Sequence, residues 1–167
     1  MKKLFISALA GAMVTSSLIT GAYAAETQVF AVNESHAYGA TTEVTQIETG
    51  IDGISLSIGA DSEWKYSKDT SGGSQFTGRI NGKDKPDIDS QKGTYYAISV
   101  DDSILAGNLD ITYQIGKGKG LVVMDGSSSL YESANYSAKT TDSYSFIAEE
   151  GHTYYVYANG GSKLGFY

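Results

Sequence analysis

Glu149-Glu150-Gly151-His152-Thr153-Tyr154-Tyr155-Val156-Tyr157-Ala158-Asn159-Gly160-Gly161-Ser162-Lys163-Leu164-Gly165-Phe166-Tyr167 reads as two aromatic strands around a Gly-Gly turn. Thr153 to Ala158 holds residues that suit a pleated, half-buried surface, and alternation puts Tyr154 and Val156 together on its core-facing side. Asn159-Gly160-Gly161 supplies the reversal, and Lys163 to Tyr167 reads as the return strand.

The same period of two recurs upstream. Ile54, Leu56 and Ile58 alternate with serines, and Leu109, Ile111, Tyr113 and Ile115 alternate with Asp110, Thr112 and Gln114. Further strands are expected at Val44 to Ile47, Glu63 to Ser67, Gln75 to Ile80, Thr94 to Val100, Gly120 to Met124 and Ser143 to Ala148. Between them lie Gly72-Gly73, Asn81-Gly82, Asp125-Gly126 and a Gly116-Lys117-Gly118-Lys119-Gly120 stretch that reads as a hairpin turn. No helical stripe follows residue 24. The expectation is an all-β chain forming an antiparallel β-sandwich, jelly-roll-like, in a single domain over 44–167.

At the other end, Lys2-Lys3, an apolar run from Leu4 to Ile19 and Ala22-Tyr23-Ala24 have the layout of a secretory signal peptide over 1–24. The run is too short and too rich in small residues for a span of about 20 strongly apolar residues, so no transmembrane segment is expected after cleavage near Ala25. Residues 25–43 read as a flexible lead. The expected location is outside the cell or on its surface.

The formal net charge is −7, and loss of Lys2 and Lys3 with the leader deepens it by two. Such a chain repels phosphate backbones, which disfavours nucleic acid as a partner. Without cysteine, neither a disulfide framework nor a thiolate metal site can form. Stability must come from packing, which a chain of about 150 residues can supply by burying close to 70% of its unfolded surface.

Thirteen tyrosines and one tryptophan stand beside five phenylalanines, so the aromatic surface is weighted towards rings with a polar tip. In an exported protein such rings suit the C–H face of a sugar. Trp64 and Tyr66 share one face of their strand, which serves equally well as an inner face. Tyr131 and Tyr136, in what reads as a polar loop from Ser127 to Thr141, are expected to be more exposed. These four are the candidate carbohydrate-binding residues. Tyr144, Tyr154 and Val156 read as core.

No catalytic set emerges. Arg79 is the only arginine, His36 and His152 read as solvated loop residues, and no nucleophile elbow, zinc-protease or Walker motif occurs. No cofactor is expected. Carboxylates gather at Asp84, Asp87 and Asp89, at Asp101 and Asp102, and at Glu149 and Glu150, leaving a structural calcium open. An EF-hand is excluded, because Lys92 falls where its glycine belongs and Ile98 where its bidentate glutamate belongs.

Trp64-Lys65-Tyr66, Gly82-Lys83-Asp84-Lys85-Pro86, Gly93-Thr94-Tyr95-Tyr96, Gly107 to Ile111, Gly118 to Gly126 and above all Phe146 to Tyr167 resemble a β-sandwich module found beside pectate lyases and other polysaccharide-degrading enzymes of gut and rumen bacteria. The resemblance runs from Ile54 to Tyr167. It implies a non-catalytic accessory domain for a plant, pectin-like polysaccharide, with a catalytic domain or partner enzyme nearby and the last strand clipped at Tyr167. Two other readings stay open: a fragment or stand-alone relative of a polysaccharide lyase, and a structural or adhesion spacer at the cell surface.

Overall fold

A computed structural model describes residues 8–9, 29–30, 44–60, 63–69, 76–81, 85–159 and 164–166, with side chains described for residue 44, 46–60 and 85–159. The described residues form thirteen strands: β1 (Ala8–Leu9), β2 (Val29–Phe30), β3 (Thr45–Ile47), β4 (Ile54–Ile58), β5 (Glu63–Asp69), β6 (Phe76–Asn81), β7 (Tyr96–Val100), β8 (Gly107–Ile115), β9 (Leu121–Asp125), β10 (Ser128–Glu132), β11 (Thr140–Ala148), β12 (Thr153–Ala158) and β13 (Leu164–Phe166). Apart from the β1–β2 pair, which is short and parallel, every ladder is antiparallel. Almost all of the expected leader and lead lies outside the described residues. No helix is long and apolar enough to cross a membrane among the described residues.

The strands form a six-stranded sheet, β10-β9-β12-β7-β4-β3, and a five-stranded sheet, β11-β8-β13-β6-β5. Alternating side chains of both meet in one core. Leu56, Ile58, Ile98, Val123, Tyr154 and Val156 come from the first sheet, and Leu109, Ile111, Tyr113, Ile115 and Phe146 from the second. The molecule is therefore the antiparallel β-sandwich that period-two patterning implies.

Three local expectations are corrected. The last two strands do not pair around the Gly-Gly turn: β12 lies in the six-stranded sheet, while β13 lies in the other, between β6 and β8. Gly116 to Gly120 is no hairpin, because β8 and β9 belong to different sheets and the stretch carries the chain across the sandwich. Gly118 adopts φ +77° there, a left-handed conformation open to glycine. The polar stretch after Asp125 is also not all loop. Ser128–Glu132 pairs with β9, with a register shift between Ser129 and Tyr131. Its serines hide the strand from pattern reading, since four of its five residues are exposed.

One mouth of the sandwich is closed by rings. Tyr131 on β10 stacks on Tyr144 of β11 with centroids 4.0 Å apart, bridging the edge strands of the two sheets. Phe146 lies 5.7 Å from Tyr144 and 4.9 Å from Tyr154, which extends the column into the core. Each such pair adds about 1 kcal/mol beyond the area it buries. Tyr154 is pinned at its polar end, where its hydroxyl accepts the Glu149 N–H at 2.7 Å and ties the β11–β12 turn to the core.

Beside β7, Tyr95 is buried and lies against Gly59, where a methyl group would run into its ring and into the Gly93 carbonyl oxygen. Gly59→Ala is expected to cost about 1–3 kcal/mol through this overpacking. Chemical denaturation checks it: the midpoint falls while the dependence on denaturant is unchanged.

Candidate functional site

The pleat that sends Tyr154, Val156 and Ala158 inward turns Thr153, Tyr155 and Tyr157 onto the outer face of the six-stranded sheet. Tyr155 lies between Ala97 of β7 and Met124 of β9, and Tyr157 pairs with Val122. Ala97 and Val122 are buried although they face away from the core, so this outer face is covered in part. Tyr155 and Tyr157 are half-buried. They stand two residues apart along one strand, roughly 7 Å.

The segment from Lys85 to Lys92 borders this face. Asp87 and Lys92 exchange backbone hydrogen bonds of 2.8 and 3.0 Å, and Gln91 takes φ +56° to close the turn. Gly93, at φ +89°, lets this segment approach so closely that a methyl group there would strike the Lys85 carbonyl. The segment walls two hollows that share Pro86 and Met124. One, of about 500 Å³, has Tyr155, Asp87 and Asp89 on its lining. The other, of about 330 Å³, has Tyr157, Lys85, Glu132 and Asn159. Both volumes fall within the range usual for small-ligand sites.

Tyr155 is held in place from behind. Its ring meets Tyr95 edge-on at 5.6 Å and 74°, and Tyr95 in turn rests on Gly59. Burial, with lesser contributions from Tyr155 and Asp87, pushes the Tyr95 phenol up from 10.0 to about 12. Burial first, and then the charge of Glu132, also raises Tyr157. Asp87 is held below the usual carboxylate range, first by the Ser90 side chain and then by the Ser90 N–H, which donates at 3.2 Å.

The residues singled out in the sequence lie elsewhere. Trp64 and Tyr66 are on β5, at the edge of the other sheet, with side chains outside those described. Tyr131 is half-buried, with one face against Tyr144. Tyr136 is half-buried too. Its hydroxyl donates to Asp142 Oδ2 at 2.7 Å and lies 2.7 Å from the hydroxyl of buried Tyr113, so it braces the β10–β11 connection. Tyr131 and Tyr136 thus each spend their ring or hydroxyl on a partner within the sandwich. Tyr155 and Tyr157 are what sequence reasoning missed, although the alternation that assigned Tyr154 inward was the signal for them.

His152, expected to be a solvated loop residue, instead places Nδ1 2.9 Å from Asp125 Oδ1 and Nε2 3.6 Å from Glu149. Among the described residues no group of three His, Asp or Glu side chains is arranged to hold a metal ion. Compared with known proteins, the chain matches no family model and no curated relative.

The phenols raised by burial fix the sign of an alkaline effect. An unfolded tyrosine ionises near pH 10, before the folded Tyr95 does at about 12, so the unfolded state loses protons first. Stability is expected to be complete below about pH 10 and to fall as pH rises towards about 12. Denaturation series across that window check it, and Tyr95→Phe should flatten the decline. Tyr136→Phe should cost about 1–3 kcal/mol at neutral pH, because the buried Tyr113 hydroxyl loses its partner.

Proposed function

We propose that the chain is a secreted, non-catalytic accessory module that holds polysaccharide against the outer face of its six-stranded sheet. The observation that carries this reading is the pair Tyr155 and Tyr157, half-buried on one face and each bordering a hollow. A ring braced by its edge contact with Tyr95 loses little further side-chain freedom on binding, which favours stacking on a sugar. Asp, Glu, Ser and Asn side chains around the rings supply the polar groups that orient hydroxyls. The leader, the tyrosine-rich composition and the resemblance to accessory modules of polysaccharide-degrading enzymes support the same reading. That resemblance also suggests a catalytic domain or separate enzyme as its working partner.

Affinity electrophoresis in gels cast with plant polysaccharides, pectin among them, tests the proposal. Tyr155→Ala and Tyr157→Ala are each expected to weaken retention about tenfold, equivalent to about 1.4 kcal/mol. Trp64→Ala and Tyr131→Ala should leave it within a factor of two. Loss confined to the Trp64 variant would move the site to the other sheet. Retention by no polysaccharide would leave the spacer reading in its place, and unsaturated product from polygalacturonate would establish the lyase reading instead.

A further inference from the structure

We infer that the groove over Tyr155 and Tyr157 accepts an uncharged, hydroxyl-rich glycan chain and rejects polyuronates. This rests on the reading that the groove binds polysaccharide. It goes further by naming the chemical class of the chain.

The two hollows are lined by three carboxylates, Asp87, Asp89 and Glu132, and among the described residues by one cation, Lys85. Hydrogen bonds from Ser90 stabilise the Asp87 carboxylate and hold it below the usual carboxylate range. Ionised carboxylates only accept hydrogen bonds, and a neutral sugar presents hydroxyl donors at every residue, so the match is direct. Tyr157 and Asn159 add further polar groups on the second hollow.

A uronate chain presents the opposite chemistry. Its carboxylates need donors, and the guanidinium fork is the side chain best suited to them. The single arginine, Arg79, lies on β6 in the other sheet. Each uronate residue entering the groove would come within a Debye length, about 8 Å at physiological salt, of like charges on the rim. The net charge of −7 repels the rest of the chain as well. The pectin-like ligand implied by the resemblance is therefore the less suitable kind of plant polysaccharide for this surface.

Calorimetry on the full chain separates the cases. The probes are the hexaoses of cellulose, xylan, mannan and galactan, and hexagalacturonate, each at about 50 and about 300 mM salt, with calcium and with chelator. At least one neutral hexaose is expected to bind, with less than a twofold response to salt. Hexagalacturonate should bind at least tenfold more weakly, the difference narrowing at high salt. In Asp89→Asn combined with Glu132→Gln, uronate affinity should rise several-fold while neutral affinity does not. Hexagalacturonate binding as tightly as the best neutral chain, with or without calcium, would overturn the inference and leave the glycan-binding reading standing. If no probe binds and Tyr155→Ala changes nothing, both fall together.

Discussion

The register of β12 between β7 and β9 is the constraint on which both core and candidate site depend. Tyr154 opposite Ile98 and Asp125, and Val156 opposite Tyr96 and Val123, put three strands' inward residues in one layer. A slip of one residue would exchange every inward side chain of β12 for an outward one, burying Tyr155 and Tyr157 and exposing Tyr154 and Val156. The register is held at several independent places. The Glu149 N–H bonds the Tyr154 hydroxyl, Ser99 Oγ and Thr153 Oγ1 lie 3.0 Å apart across the β7–β12 pair, and Asn159 Oδ1 accepts the Gly120 N–H at 2.9 Å. The surface that faces solvent is thus a by-product of the forces that order the interior.

Pattern reading reached the sandwich because its strongest strands are amphipathic. β8 alternates buried and partly exposed residues over its whole length, and β4 and β12 do the same over shorter spans. β10 escaped because an edge strand with exposed serines carries no alternation to read. Gly116 to Gly120 was misjudged for a related reason. Glycine spacing reports that a chain turns, but whether the next strand pairs with the last or crosses to another sheet is decided by long-range packing.

The candidate site was less legible, and the reason is again distance along the chain. Neighbouring Ser, Glu, Asn and Lys suggested that Tyr131 and Tyr136 are exposed, yet Tyr131 finds Tyr144 across the sandwich mouth, and Tyr136 finds Tyr113, 23 residues earlier. His152 is drawn to Asp125, 27 residues before it. Conversely, nothing near Tyr155 announces that Lys85 to Lys92 folds over its sheet face. Local polarity predicts solvation well only where no remote segment arrives beside the residue, and here remote segments arrive at each of these four places.

The edge strand β11 carries a further consequence in Asp142. Its Oδ1 accepts the Ser143 N–H at 2.8 Å while Oδ2 takes the Tyr136 hydroxyl. A charged side chain on the outermost described strand of a sheet makes it harder for another strand to add itself by backbone pairing. Self-templated growth is thereby discouraged at this margin of the sheet.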